Sequence, residues 1–272
     1  MMTRRESDLE EILKHHGRIA VALSGGVDSS VLLGFAANVL GSDHCIAFTI
    51  QSPYMMEEEV EDARELCAHL HVRHRVLEVG IPEDIATNPP DRCYLCKKRL
   101  FNVLREEASR EGFRYLADGT NADDSPEDRP GMRALVEAGI ASPLREARIG
   151  KADIRELGRK LGIQAKITEK PAYSCLLTRL EHNRPVQETL LTNVDRAEQF
   201  LRDAGFLSCR VRVHGTLARI ELSRDSWPAF FTRDMPPAVF ERFSQLGFAF
   251  VTLDLRDYTM GNMTPPTPPS TP

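Results

Sequence analysis

"RIAVALSGGVDSSVLL", Arg18 to Leu33, is the stretch on which the fold turns. An apolar run over 19–23 meets a Ser-Gly-Gly turn, and an Asp and two serines lead back into apolar residues. That order reads as a buried strand, a glycine turn and the start of a helix over 28–40. Successive N–H groups of such a turn converge on an anion, and the helix N-terminus adds positive potential. Gly25 and Gly26 permit the turn and the close approach of backbone to phosphate, while Ser24, Ser29 and Ser30 can donate hydroxyls. Asp28 would repel phosphate unless it holds a metal or orients a ligand group. The lysine of a Walker A loop does not follow, and no G-x-G-x-x-G is present.

Beyond this stretch, strand and helix patterns alternate. "HCIAFTI" (44–50) and "VRHRVLEV" (72–79) read as the second and third strands. Val60, Ala63, Cys67 and Leu70 between them line one face of a helix. A helix over 94–111 turns Leu100, Val103, Leu104 and Ala108 inward, and "FRYLADG" (113–119) reads as a fourth strand. The expected fold is α/β: a parallel sheet with helices on both faces. In such sheets ligands bind beyond the carboxyl ends of the strands. "LSGGVDSS" and "ADGTNADD" both sit there, which adds Gly119 and Thr120 to the candidate ligand site.

The stretch 121–150 reads as irregular, and Ile154, Leu157 and Leu161 mark a short helix that stops at Gly162. Residues 166–185 read as a loop between domains. Then Leu190, Val194, Ala197 and Leu201 give a helix, and "SCRVRVHGTLARIEL" (208–222) gives two strands around a His214-Gly215 turn. A helix near 236–246 and the strand "FAFVTLDL" complete a small α+β domain. The expected division is a first domain over 1–182, the α+β domain over 183–257, and a Pro-rich, disordered tail over 258–272.

At 272 residues, with 42% hydrophobic and 28% charged positions, the composition is that of a soluble globular protein. No apolar run approaches the ~18 residues of a membrane span. The N-terminus lacks the apolar core of a secretory signal, so the expected compartment is the cytoplasm. A net charge of −5 and a pI near 5.9 weigh against a protein dedicated to coating nucleic acid.

Six cysteines in such a chain do not suggest a disulfide framework. "DRCYLCKKRLF" places Cys93 and Cys96 one turn apart at a helix start, beside Lys97, Lys98 and Arg99. "PAYSCLLTR" supplies Cys175. Such thiols can hold a zinc ion, with His182 as a conceivable fourth ligand, or a [4Fe–4S] cluster with one open iron. They can equally form a redox pair or stay as inert thiols. Cys45, Cys67 and Cys209 read as packing residues.

The Ser24–Ser30 loop resembles the PP-loop of the ATP pyrophosphatases, which cleave ATP between the α- and β-phosphates. "SGGVDSS", "RCYLCKKRLF", "DGTN", "RPGMRA", "SPL", "KPAYSCLLTR" and "RVRVHGTLARIE" occur in this order, as they do in the LarE-like ATP-dependent sulfur transferases. That resemblance covers the chain to about residue 255. It implies ATP and Mg²⁺ as cofactors, with Ser24, Gly25, Gly26, Asp28, Ser29, Ser30, Gly119 and Thr120 at ATP, and Asp28 and Cys175 in catalysis. The implied substrate is pyridinium-3,5-biscarboxylic acid mononucleotide, adenylated and then converted to a thiocarboxylate for the nickel-pincer nucleotide cofactor. Family members with a single cysteine, matching Cys175, sacrifice its sulfur; members with all three carry a [4Fe–4S] cluster that passes on a sulfide. Cys93, Cys96 and Cys175 are all present, so the resemblance favours the cluster type and leaves the sulfide donor open. It also implies a homo-oligomer, with a hexamer as one form; no membrane partner is expected from the apolar run lengths, and the acidic balance weighs against a nucleic-acid partner. Rival readings are a tRNA thiolase of the same superfamily, an ammonia-dependent ligase, and a non-catalytic nucleotide or redox sensor.

In "CRVRVHGTLARIEL" a two-residue period puts Val211 and Val213 on one face and Arg210 and Arg212 on the other, with Arg219 and Glu221 opposite them. This is either a solvated sheet face or a phosphate pocket, in which guanidinium forks grip the anion and Glu221 holds one of them. Arg179, four residues after Cys175, can join them, and the resemblance supports the pocket.

Overall fold

The computed structural model describes residues 2–124, 131–171, 173–232, 234–258 and 263. The chain divides into two compact units, Met1–Ile85 with Asp91–Tyr173, and Ala86–Pro90 with Ser174–Pro272. No helix among the described residues is long and apolar enough to cross a membrane.

The first unit holds a four-stranded parallel sheet in the order β3-β2-β1-β4. Its strands are β1 (Ile19–Ala22), β2 (Cys45–Gln51), β3 (Arg73–Glu78) and β4 (Leu116–Ala117). Around it lie α1 (Arg4–His16), α2 (Val27–Leu40), α3 (Glu57–Leu70), α4 (Arg92–Arg110), α5 (Gly131–Ala138), α6 (Pro143–Glu146), α7 (Lys151–Lys160) and α8 (Ala165–Thr168). The two-residue side-chain period splits the strands between two cores. Ile19, Val21, Leu23, Cys45 and Ala47 pack with residues of α1, α2, α3 and α7. Ala20, Ile46 and Phe48 pack with Phe101, Leu104 and Ala108 of α4 and with Met132, Leu135 and Ala138 of α5. Each fully buried Leu, Ile or Phe contributes about 1.5–3 kcal/mol. This is the expected α/β architecture. The chain leaves β1 towards β2 and later returns to the other side of β1 at β4, so the order reverses there. That switch point is where open parallel sheets bind ligands.

The second unit has α9 (Glu188–Asp203), α10 (Trp227–Phe230) and α11 (Met235–Gln245). Its sheet has the order β5-β6-β7, with β5 (Cys209–His214) antiparallel to β6 (Leu217–Leu222) and β7 (Phe250–Leu253) parallel to β6.

Several expectations are corrected. The span 121–150 is not irregular throughout: α5 and α6 lie within it, two turns and one turn long, too short to establish a period. β4 is only two residues because the chain turns at Asp118, whose carboxylate accepts from Thr120 N at 3.2 Å. The span 166–185 contains the end of α8 and a 3-10 turn over Leu176–Arg179. His214 pairs with Leu217, so the hairpin turns through Gly215 (φ 59°) and Thr216, one residue later than expected. Between the two compact units the chain crosses at 173/174. Asn88, fully buried, explains why 86–90 joins the second unit: its Nδ2 donates to the carbonyls of Leu177, Leu180 and Glu181 at 3.0–3.1 Å. Of the Pro-rich tail, residues 259–262 and 264–272 lie outside the described residues, as do Arg129 and Pro130 of "RPGMRA".

Candidate active site

The turn after β1 requires glycine. Gly25 has φ 77°, and a Cβ there would lie 2.0 Å from the main-chain oxygen of Glu59 in the first turn of α3. Gly26 caps α2 in an extended conformation. Ser24 Oγ accepts from Gly26 N at 3.3 Å and lies 3.1 Å from Ser29 Oγ. Ser29 Oγ in turn accepts from Ser24 N at 3.2 Å and donates to Gly26 O at 3.3 Å. Both hydroxyls therefore shape the loop itself. Ser30 is buried, and its hydroxyl has no hydrogen-bond partner among the described residues.

The loop after β4 lies against this turn. A Cβ on Gly119 would approach Ser29 N to 2.5 Å, so only glycine permits the contact. Asp118 accepts from the Thr120 hydroxyl and, at 2.8 Å, from Ser142 Oγ. Asn121 Nδ2 donates to Asp28 Oδ2 at 2.8 Å. The sequence reading missed Asp118 and Asn121, although "DGTN" was in view. Behind β1, Thr49 Oγ1 donates to Leu23 O at 2.8 Å and lies 2.8 Å from His74 Nε2. Since the Thr49 proton is already used, His74 Nε2 carries the hydrogen. Burial, and then the charge of Arg64, push the His74 pKa down to about 4.

None of the six cysteines is in a disulfide, and burial sorts them. Cys45, Cys67 and Cys209 are buried, and burial pushes each thiol up to about 12, as suits packing residues. Cys93, Cys96 and Cys175 are each half-buried. Cys93 and Cys96 occupy the first turns of α4, and Tyr54 Oη lies 3.4 Å from Cys96 Sγ. Cys175 precedes the Leu176–Arg179 turn, and its carbonyl accepts from Thr178 Oγ1 at 2.8 Å and from Arg179 at 3.1 Å. Among the described residues no group of three or more His, Cys, Asp and Glu is arranged to hold a metal ion.

In the second unit the register places Arg210 opposite Glu221 and Arg212 opposite Arg219. The face is not solvated: Arg210 and Arg212 are 3% exposed and Glu221 is 0%. Arg212 reaches Glu221 Oε2 at 3.1 Å and Thr178 O at 2.6 Å, and Arg219 meets Glu221 Oε1 at 3.3 Å. Arg179 is fully buried. Its Nε and Nη2 form a two-pronged pair with Glu198 at 2.9 Å each, and its Nη1 donates to Ser174 O at 2.6 Å. Glu198 also accepts from Val211 N at 2.9 Å. Burial opposes its charge, but Arg179, Arg210 and the Val211 N–H together hold its pKa below the ordinary carboxylate value. Burial, and then repulsion from Arg179, lower the pKa of Arg210. Glu198 also escaped the sequence reading, though a signal existed: it lies within the apolar face of Val194, Ala197 and Leu201, with Arg202 four residues on.

Comparison with known proteins identifies the family. The asparagine synthase family profile matches residues 9–103. An uncharacterised protein of Synechocystis sp. is 35% identical over 263 residues, spanning 95% of this chain and 97% of its own. An uncharacterised protein of Methanocaldococcus jannaschii is 34% identical over 257 residues, 94% of this chain and 96% of its own. The pyridinium-3,5-bisthiocarboxylic acid mononucleotide synthase of Lactiplantibacillus plantarum is 33% identical over 264 residues, 96% of this chain and 94% of its own. With identity of this level running nearly end to end, the chain belongs to the LarE-like family of PP-loop ATP pyrophosphatases.

Proposed function

We propose that the protein is an ATP-dependent sulfur transferase that adenylates a carboxylate of pyridinium-3,5-biscarboxylic acid mononucleotide and converts it to a thiocarboxylate. The observation that carries this reading is the glycine turn at the sheet's switch point, in a chain 33% identical over nearly its whole length to a synthase of the bisthiocarboxylic acid mononucleotide. A carboxylate oxygen of the substrate attacks the α-phosphorus of ATP, the bond to the β-phosphate oxygen breaks, and pyrophosphate leaves. A sulfur nucleophile then attacks the acyl carbon, and AMP departs with the carboxylate oxygen. The glycine turn and the positive end of α2 hold the leaving pyrophosphate. Asp28 meets the Mg²⁺ that arrives with ATP. Arg210 and Arg212, with Glu221 orienting Arg212, hold the mononucleotide phosphate, while Arg179, fully buried and spent on Glu198 and Ser174, braces the turn beside them.

Cys93 and Cys96, half-buried and one turn apart at the start of α4, offer soft thiol donors, which suit an iron–sulfur centre better than a hard cation. Cys93, Cys96 and Cys175 are the residues that would ligate a [4Fe–4S] cluster. When bound, such a cluster supplies a transferable sulfide and spares Cys175 from giving up its own sulfur. The acceptor in this reading is a small mononucleotide and not RNA.

The test is incubation of the anaerobically purified protein with ATP, Mg²⁺ and the mononucleotide. AMP and pyrophosphate are expected, with mass spectrometry registering exchange of oxygen for sulfur in the mononucleotide. Release of ADP, or sulfur transfer to tRNA in place of the mononucleotide, overturns the reading.

A further inference from the structure

Asp28 and Asn121 are 93 positions apart in sequence, yet they meet at 2.8 Å because β1 and β4 are neighbours in the sheet. The loop after β4 is wired around Asn121, which is fully buried. Its main-chain N–H donates to Asp124 Oδ2 at 3.2 Å. Its side-chain Oδ1 accepts from Asp123 N at 2.9 Å. Asp123 is tied down in turn, since its carboxylate accepts from Lys151 N at 2.7 Å at the start of α7. With Oδ1 occupied by a main-chain donor, the amide has one orientation, and its NH₂ faces Asp28. Gly119 adds a second, independent observation: the absence of its side chain brings the same loop to within contact of Asp28 and Ser29. Both features are built to bring a fixed neutral donor against a carboxylate that already stands in an anion-binding turn.

We infer that Asn121 is a positioning residue for Asp28, locking that carboxylate in the orientation in which it meets the magnesium ion carried by the ATP phosphates. This inference rests on the ATP-dependent reading of the site. A mobile carboxylate beside phosphate oxygens samples orientations that repel them. One oxygen pinned by Asn121 fixes the torsion of the group before the metal–nucleotide complex arrives, so less is lost on binding. The amide suits the role because it donates without adding a charge of its own.

The test uses the full-length protein and a non-cleavable probe, α,β-methylene-ATP, titrated calorimetrically with and without MgCl₂. Asn121→Ser is the informative variant. Its hydroxyl can still accept from Asp123 N, which keeps the turn, but it is too short to reach Asp28. The Mg²⁺ concentration giving half-maximal probe binding is expected to rise about tenfold or more, as for loss of a hydrogen bond to a charged group. Binding without Mg²⁺ is expected to stay within about twofold. In an Asp28→Asn background the same substitution is expected to add nothing further, the signature of two groups acting as one. Equal losses with and without Mg²⁺, or the full loss repeated in the Asp28→Asn background, overturn the inference. Should Asn121→Ser not fold, Asp28→Glu tests the same contact from the other side, since it keeps the charge but carries it past the Asn121 amide. An unchanged Mg²⁺ dependence in that variant overturns the inference equally. Because the probe needs no acceptor, wild-type protein that binds it but makes no AMP counts against the proposed reaction and not against the role of Asn121.

Discussion

Replacing Glu198 with glutamine probes the part of the molecule where most charge is buried. Glu198 and Arg179 are each 0% exposed, and three N–H groups, two from Arg179 and one from Val211, reach the carboxylate at 2.9 Å. Glu198→Gln keeps the volume but turns one oxygen into an NH₂ that faces a guanidinium donor, and leaves the Arg179 charge without its counter-ion. Breaking one side of a buried pair costs about 3–5 kcal/mol. The second unit spans about a hundred residues, a size at which each kcal/mol lowers the melting temperature by about 4–8 °C, so the expected drop is about 12–40 °C. Urea denaturation followed by circular dichroism gives the free energy, and a scan gives the melting temperature. Replacing both partners, Arg179→Met with Glu198→Leu, is expected to recover most of the loss, because no unpaired charge then remains buried. The acid limb gives a second readout. The folded pKa of Glu198 lies below its ordinary value of 4.5, so its stabilisation is present above 4.5 and is lost as pH falls through the folded value. Glu198→Gln should therefore flatten the acid-side slope of stability. A loss under about 1 kcal/mol for the single variant would place the pair with ordinary surface ion pairs and refute the reasoning.

Gly25→Ala is expected to abolish AMP formation: a left-handed φ costs an alanine about 1–2 kcal/mol, and the new Cβ would lie 2.0 Å from Glu59 O, so the turn must move. Normal turnover of that variant would refute the assigned loop. Arg212→Ala removes contacts to Glu221 and Thr178; mononucleotide affinity is expected to fall about tenfold or more, with ATP affinity unchanged by calorimetry. Single Cys→Ala variants at 93, 96 and 175 are each expected to lose the brown chromophore of anaerobically reconstituted protein, whereas Cys45→Ala, in the packed core, is expected to keep it. Stoichiometric zinc without iron would sink the cluster assignment. His74, with its folded pKa near 4 against an ordinary 6.5, contributes stability that is complete above 6.5 and is lost as pH falls towards 4. His74→Gln should remove that slope, and an unchanged acid profile between those limits refutes it.

What the sequence could reveal depended on whether a requirement was local. The Ser24–Ser30 turn was legible because close approach and a positive φ at Gly25 admit no other residue, and because apolar runs on each side announce strand and helix. The side-chain alternation of β5 and β6 was legible for the same reason, since a period of two is a property of the strand alone. Burial of the arginine face was not, because what covers it comes from elsewhere: Thr178 from the turn after Cys175 meets Arg212, and Glu198 on α9 meets the Val211 N–H. Asn121 was invisible as a functional residue because its partner is 93 positions away. In sequence it is one more polar letter in a loop, and only the reversal of strand order at β1 brings it to Asp28.

The two candidate anion sites use different chemistry, and the proposed reaction gives that difference a reason. In the glycine turn the donors are neutral: main-chain N–H groups, the end of α2, and hydroxyls of Ser24 and Ser29 already engaged with one another. On the β5–β6 face the donors are guanidinium groups, desolvated, with Arg212 held by Glu221. Hydrogen bonds from a charged donor are about twice as strong as neutral ones. In the proposed reaction pyrophosphate would have to leave after the first step, and a site of neutral dipoles would hold it without trapping it. The mononucleotide would have to stay through adenylation and thiolation, a task that buried cations would serve. Exchanging the two chemistries should show as a kinetic fault. A lysine introduced at Ser24 is expected to slow pyrophosphate release and make that step limit turnover, whereas Arg212→Ala is expected to let the adenylated intermediate escape before sulfur arrives.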